Sequence, residues 1–302
     1  MTDKPIPPLY KYLDVNGAYL TLTNKNFRHA KPSEFEDKED MKILRVFPEE
    51  ELDSLNLQKN NFTDVILRNL NRPPTCYNLL MRMQIALLQQ VYRNDPDAAE
   101  LVKQTVQNDR VEDIYDVDRL RGVSEDTMRE VNEHLQGYRV LCLTKNNNSE
   151  KMWEQYAESH QGIVLKVVPN HAKDSKFSLL KEVRYVDERP PLFPSSLAFI
   201  EDSLFGNQDQ NNKRYIDTVI YTKTKEYDYE CEYRLAIPHF PHENWNTLPY
   251  HGEEIAELYL GVNTSEMNKE KFTGLVRTIN PAAKLFQTIR NTAEELEFIE
   301  LT

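Results

Sequence analysis

The pattern of hydrophobic and polar positions changes its period along the chain. In the first stretch, "LYKYL" alternates as a strand should, Asn16-Gly17 has the composition of a turn, and "AYLTLTN" predicts more strand or a strand–helix junction. From about residue 48 to 135 the spacing becomes helical. "PEEELDSLNLQKN" places acids in a first turn, where the helix dipole favours them. "TCYNLLMRMQIALLQQVYRN" is the most apolar run, and Leu79, Met83, Ala86, Leu87 and Gln90 step round one face of a helix predicted to be buried. "DPDAAELVKQTVQND" and "SEDTMREVNEHLQG" begin with capping residues and predict two further helices.

Beyond residue 138 strands return, with helices between them. "YRVLCLT", "IVLKVV", "LKEVRYVD", "EIAELYLGVN", "KLFQTIR" and "EELEFIEL" read as strands. "SEKMWEQYAESH", "SSLAFIEDSLFGN", "KRYIDTVIYTKTKEY" and "TSEMNKEKFTGLVRTI" read as helices, the first with Ser149 at its N-cap and an end at Gln161-Gly162. "KNNNSE" and "GNQDQNNK" have the composition of surface loops. The pattern predicts an α+β protein, residues 1–302 as one domain, with a mixed, mostly antiparallel sheet core and 48–135 as a helical insertion.

Composition narrows the function classes. With 37 basic and 49 acidic residues the formal charge is −12, which disfavours a non-specific grip on nucleic acid. No signal peptide or membrane span is visible, and the three cysteines, Cys76, Cys142 and Cys231, are too far apart for a zinc-type pair and odd in number for a disulfide framework. The expectation is a cytoplasmic protein with reduced thiols and no membrane partner. Nucleotide-binding glycine loops, GxSxG and HExxH are absent from the sequence. His239 and His242 lack a third ligand fixed by spacing, so no metal site is predicted.

Three stretches carry candidate chemistry. "EYDYECEYRL", taken as a strand, sets Glu230, Glu232 and Arg234 on one face and Tyr229, Cys231, Tyr233 and Leu235 on the other. A solvated face with a cross-strand ion pair explains this arrangement. So does a cleft in which two carboxylates about 7 Å apart divide the work, while Arg234 holds a carboxylate or meets a phosphate. Trp153, Tyr156, Ala157 and His160 fall on one helical face, which either covers a sheet or walls a pocket with rings and an imidazole. Lys11 and Tyr12 become ligand contacts if the first strand lines a cleft. The acidic run Glu34, Glu36, Asp37, Glu39 and Asp40 is otherwise a charged loop.

The order of these pieces resembles the bacterial DUF2971 family. The pieces are "LYKYL", "FRHAKPSEFED", "VLCLTKNNNSEKMWEQYAESHQGIVLKV", "VRYVDERPPL", "KTKEYDYECEYRLAI" and "AELYLGVN", with Trp153 to Gly162 and Glu-x-Glu-x-Arg at 230–234 the most specific. Where that family usually shows a Phe-Asn-Asp-Pro-Phe-like turn, this chain has Phe35-Glu36-Asp37-Lys38-Glu39. The late Glu-x-Glu also looks like the third motif of ADP-ribosyltransferases, which implies a split sheet and NAD as substrate. By that resemblance Glu232 stabilises the ribose cation and Glu230 orients or activates the acceptor. Lys11, Tyr12, Trp153, Tyr156, His160 and Arg234 would hold the cofactor. The implied acceptor is a protein side chain or a nucleic acid base, and the implied setting is a bacterial toxin or antiphage effector with a neutralising partner. Two other classes stay open at this stage: a hydrolase or nuclease using Glu230, Glu232 and the acids of 34–40 with a divalent metal, and a non-catalytic ligand sensor or interaction domain.

Overall fold

The computed structural model describes residues 6–76, 78–110, 117–240 and 242–301. In chain order it begins with β1 (Leu9–Leu13), α1 (Val15–Asn24) and β2 (Asn26–Arg28). The helices α2 (Glu51–Arg68), α3 (Leu79–Asn94), α4 (Pro96–Asn108) and α5 (Val117–Gln136) follow. Next come β3 (Tyr138–Thr144), α6 (Glu150–Tyr156), β4 (Ile163–Val167), β5 (Lys181–Glu182) and β6 (Arg184–Val186). The chain then forms α7 (Ser196–Phe205), α8 (Gln208–Ile220), β7 (Thr222–Thr224), β8 (Glu232–Pro238) and β9 (Thr247–Pro249). It closes with β10 (Ile255–Leu260), α9 (Glu266–Ile279), β11 (Lys284–Arg290) and β12 (Leu296–Leu301).

These elements group into two compact units. One contains the residues up to Asp40, 136–187 and 223–302, and the other contains 41–135 and 188–222. The first is built on an eight-stranded sheet in the order β12-β11-β10-β4-β1-β3-β8-β5. β10 and β11 run parallel because α9 carries the chain back across the sheet between them, and every other neighbouring pair in this sheet is antiparallel. The fold is therefore α+β with a mixed, mostly antiparallel sheet.

Strand alternation builds a core on each face. Ile163, Leu165 and Val167 of β4 join Leu9, Leu258, Leu260, Phe272 and Val276 on one side. Val164 joins Tyr12, Met152, Trp153, Ala157 and Tyr259 on the other.

The sheet is not uniformly knit. β1 pairs with β4 along all five of its residues, but meets β3 at one pair, Tyr10 with Thr144. β1 and β3 therefore part beyond that pair. The ammonium of Lys11 spans the parting and donates to the Cys142 carbonyl at 3.0 Å, replacing a ladder hydrogen bond the strands do not make.

Several predicted elements take another form. "AYLTLTN" is helical throughout: Asp14 caps α1 by accepting from the Gly17 amide, so Asn16-Gly17 lies in a first helical turn. The "GNQDQNNK" loop is largely the start of α8, capped by Asn207. α6 stops at Tyr156, short of His160, because Glu158, Ser159 and His160 all take left-handed backbone conformations. Gly162 then passes so close to β1 that a Cβ there would sit 2.0 Å from the Leu13 carbonyl oxygen.

The second unit packs α2, α3 and α7 around Val65, Ile66, Ile85, Tyr92, Ile200, Leu204 and Phe205. The α3 face predicted to be buried turns outward, with Leu79 67%, Met83 62% and Leu87 61% exposed. Ile85, Gln89 and Tyr92 face inward instead. The Gln89 amide fixes that choice by donating to the carbonyls of Asn69 at 2.6 Å and Arg72 at 2.8 Å.

Candidate active site

A cavity of about 840 Å³ opens in the first unit where β1 and β3 part. β1 contributes Tyr10, Lys11 and Tyr12 to its wall, β3 contributes Cys142 and Thr144, and α6 contributes Met152 and Tyr156. The loop after β2 adds Phe35, Glu36, Asp37 and Asp40, and the C-terminal half adds Lys223, Tyr227, Glu230, Glu232 and Arg234. Its volume lies in the range of small-molecule and cofactor sites.

The stretch "EYDYECEYRL" is not one strand. Lys225–Glu230 coil as a 3₁₀ helix, Cys231 takes φ 43°, and β8 starts at Glu232. The predicted single face is therefore corrected. Glu230 leaves the end of a helical turn, while Glu232 and Arg234 share one side of a strand. The kink still brings both acids to Lys223, whose ammonium lies 2.6 Å from Glu230 Oε2 and 3.9 Å from Glu232 Oε2.

These groups form a buried charge cluster. Arg234 grips Asp40 with both terminal nitrogens, at 2.9 and 2.5 Å, and Glu232 through Nε at 2.7 Å and Nη2 at 2.8 Å. This two-sided fork requires a planar guanidinium. Lys223 also lies 3.7 Å from Asp40. Tyr156 donates its hydroxyl to Glu230 Oε1 at 2.9 Å. Glu230 and Glu232 are each only 4% exposed, which rules out the solvated-face alternative.

Three carboxyls thus face two cations, Lys223 and Arg234, and the surplus negative charge falls on one acid. Burial, and then the neighbouring Glu232, push the Glu230 carboxyl above its ordinary range. Burial pushes Glu232 the same way, but the Arg234 guanidinium outweighs it and brings Glu232 down to about 2. Two carboxyls two residues apart are thereby driven in opposite directions, as in sites that need an acid or base beside a fixed anion.

Of the predicted site residues, Glu230, Glu232, Lys11, Tyr12, Tyr156 and Arg234 converge on this cavity. Arg234 is held by Asp40 and Glu232, so it positions carboxylates rather than offering its fork to a phosphate. Trp153 and His160 are not in the cavity wall. Trp153 is fully buried, set edge-on to Tyr12, and donates its indole N–H to the Asn147 carbonyl at 3.0 Å. His160 stacks flat on Trp153, 5.6 Å between ring centres, and its Nε2 lies 2.9 Å from Glu150 Oε1. The rings in the cavity wall are instead Tyr10, Tyr12, Phe27, Phe35, Tyr156 and Tyr227.

Sequence reasoning missed Cys142 and Lys223 as site residues, and considered Asp40 only as a charged-loop residue or, with the other 34–40 acids, a metal ligand. Asp40 looked like part of a charged loop, and Lys223 stands in a lysine-rich run with no distinguishing spacing. His239 and His242 pack against the rings of Trp245 and Phe240 respectively. Among the described residues no group of three or more His, Cys, Asp or Glu side chains is placed to hold a metal ion. Between the three clustered carboxyls stand Arg234 and Lys223, where a divalent cation would have to sit. No helix among the described residues is long and apolar enough to cross a membrane.

A family model described as "Protein of unknown function (DUF2971)" matches residues 152–235, under a third of the chain. That segment contains Tyr156, Lys223, Glu230, Glu232 and Arg234, and leaves Lys11, Tyr12, Asp40 and Cys142 outside it. No curated protein and no solved structure matches the chain.

Proposed function

We propose that this chain is an ADP-ribosyltransferase-like enzyme that takes NAD as substrate and passes its ADP-ribose to a protein side chain or nucleic acid base. The observation that carries the reading is the divergent pair Glu230 and Glu232 in the wall of one cavity. In the reaction the bond between ribose C1′ and the nicotinamide nitrogen breaks, and nicotinamide leaves with the bonding pair. The positive charge left on C1′ and the ring oxygen is stabilised by an anion that stays ionised, the role that suits Glu232. The acceptor attacks C1′ and gives its proton to Glu230, whose raised proton affinity suits a general base. Tyr156 and Lys223 hold the Glu230 oxygens in place, and Phe35, Tyr156 and Tyr227 offer faces for the nicotinamide ring. The assignment to a toxin or antiphage effector with a neutralising partner, and to the cytoplasm, belongs to the same proposal.

The test is release of nicotinamide from NAD by the purified full chain, alone and with cell lysate supplying acceptors. The expected result is release that falls about 100-fold or more in Glu230→Gln, which keeps the shape and removes the base. Absence of release with any lysate, or an undiminished rate in Glu230→Gln, overturns the proposal.

A further inference from the structure

Lys11 differs in kind from the other charged groups of the cavity. Lys223 is surrounded by three carboxyls, which together hold its ammonium above the ordinary lysine range against the effect of burial. Lys11 donates instead to a neutral group, the Cys142 carbonyl, at the place where β1 and β3 part. Solvent reaches it only partly, and it does so at the cavity wall. The charged and titratable groups facing it are Cys142, Glu232, Arg28 and His29. Burial lowers its proton affinity, Arg28 adds to that, and Cys142 and Glu232 oppose it without reversing it. A primary amine held against a carbonyl in a partly dry cavity, and uncharged more often than a surface lysine, is the form in which lysine acts as a nucleophile toward carbonyl carbon.

We propose that Lys11 is a carbonyl-reactive amine that captures an opened aldose in the cavity as an imine. The lone pair of Nζ attacks the aldehyde carbon. The carbonyl oxygen takes up the two protons of the amine and leaves as water, and the C=N bond remains. The identity of the sugar rests on the proposed reaction with water in the acceptor's place: water adds to C1′ as nicotinamide leaves, and the hemiacetal of the freed ADP-ribose opens to an aldehyde. The amine and the cavity do not depend on that reaction.

Ribose 5-phosphate is the probe, incubated with the NAD-free full chain and cyanoborohydride at pH 7, followed by intact mass measurement and peptide mapping. Cyanoborohydride delivers hydride to the imine carbon and fixes the adduct as a secondary amine. Lys11 is expected to take the first equivalent about tenfold faster than exposed lysines such as Lys25 and Lys271, because the least protonated amine reacts first. Lys11→Arg removes that first adduct and leaves the slow surface labelling unchanged. Mapping of the unaltered chain gives the answer by itself if the variant folds poorly. Labelling spread over exposed lysines, with Lys11 at or below their rate, overturns the proposal. If Lys11 stays unlabelled while nicotinamide is still released from NAD, the amine proposal falls and the transfer reaction stands. Selective labelling without nicotinamide release upholds the amine site and removes the transfer reaction.

Discussion

Lys223 meets three carboxyls, Arg234 two, and every member of this cluster is buried. Buried ion clusters seldom add stability over apolar packing, so a sheet that keeps one beside a cavity keeps it at some cost. The two glutamates contribute with opposite sign. Glu232 has its affinity for protons lowered by folding, from 4.5 to about 2, so its stabilising contribution is complete above the unfolded value and is lost as pH falls through that window. Glu230 has its affinity raised, so its contribution is present at low pH and is lost as pH rises through the raised value. Glu230→Gln is therefore expected to leave the thermal midpoint unchanged or higher at pH 8, with the advantage over the parent shrinking at pH 5. Thermal unfolding at the two pH values checks this, and a variant less stable at pH 8 than at pH 5, relative to the parent, contradicts it. Arg234→Met is expected to act the other way. It strands Asp40 and Glu232 in the interior and costs about 3–5 kcal/mol in urea unfolding, of which Arg234→Lys recovers only part because one ammonium cannot serve both forks.

At the scale of elements, α3 separates what a helix is from how it is turned. Its apolar residues fall on more than one side, Leu79, Met83 and Leu87 on one and Ile85 and Tyr92 on another, so the period reveals the helix and leaves the buried face undetermined. Ile85→Ala is expected to cost about 2–5 kcal/mol, while Leu87→Gln or Met83→Gln stays within about 0.5 kcal/mol, read from denaturant midpoints of each variant. A large loss from Leu87→Gln would mean that the outward face carries packing. The same distinction explains how far the rest was legible. β1, β3, β4, β10, β11 and β12 were readable because alternation or a short apolar run bounded by turns leaves few other options. The run from Lys225 to Arg234 was readable in composition and not in shape, since the left-handed residue that ends its helical turn is Cys231, with no glycine to mark it. His160 was lost from its predicted helical face for a like reason. The grouping of Lys11, Tyr156, Glu230 and Glu232 was expected only from the resemblance, since residue types alone left a surface lysine and a core-covering helix equally open. Asp40, which meets Arg234 across 194 residues of chain, and Lys223, which meets both Asp40 and Glu230, needed the fold.

For the whole molecule, the feature with most consequence is that one sheet runs through eight strands yet is joined at a single pair between β1 and β3. A ladder interrupted at its middle leaves backbone groups to be satisfied by side chains, as Lys11 does, and leaves room for a ligand between well-formed halves. The described residues that line the cavity belong to the unit that contains the sheet. The formal charge of −12 works against attraction of polyanions at long range, so on the proposed function any hold on NAD has to come from contacts inside the cavity. Hydrogen exchange with and without saturating NAD tests that placement. At a ligand concentration 100 times the dissociation constant, amides that exchange only when the site opens are slowed about 100-fold. The protected amides are expected within 9–40, 138–156 and 223–247, with 51–108 unchanged. Protection confined to 51–108 would move the binding site to the helical unit, and the divergent glutamates would then have to be explained by stability alone.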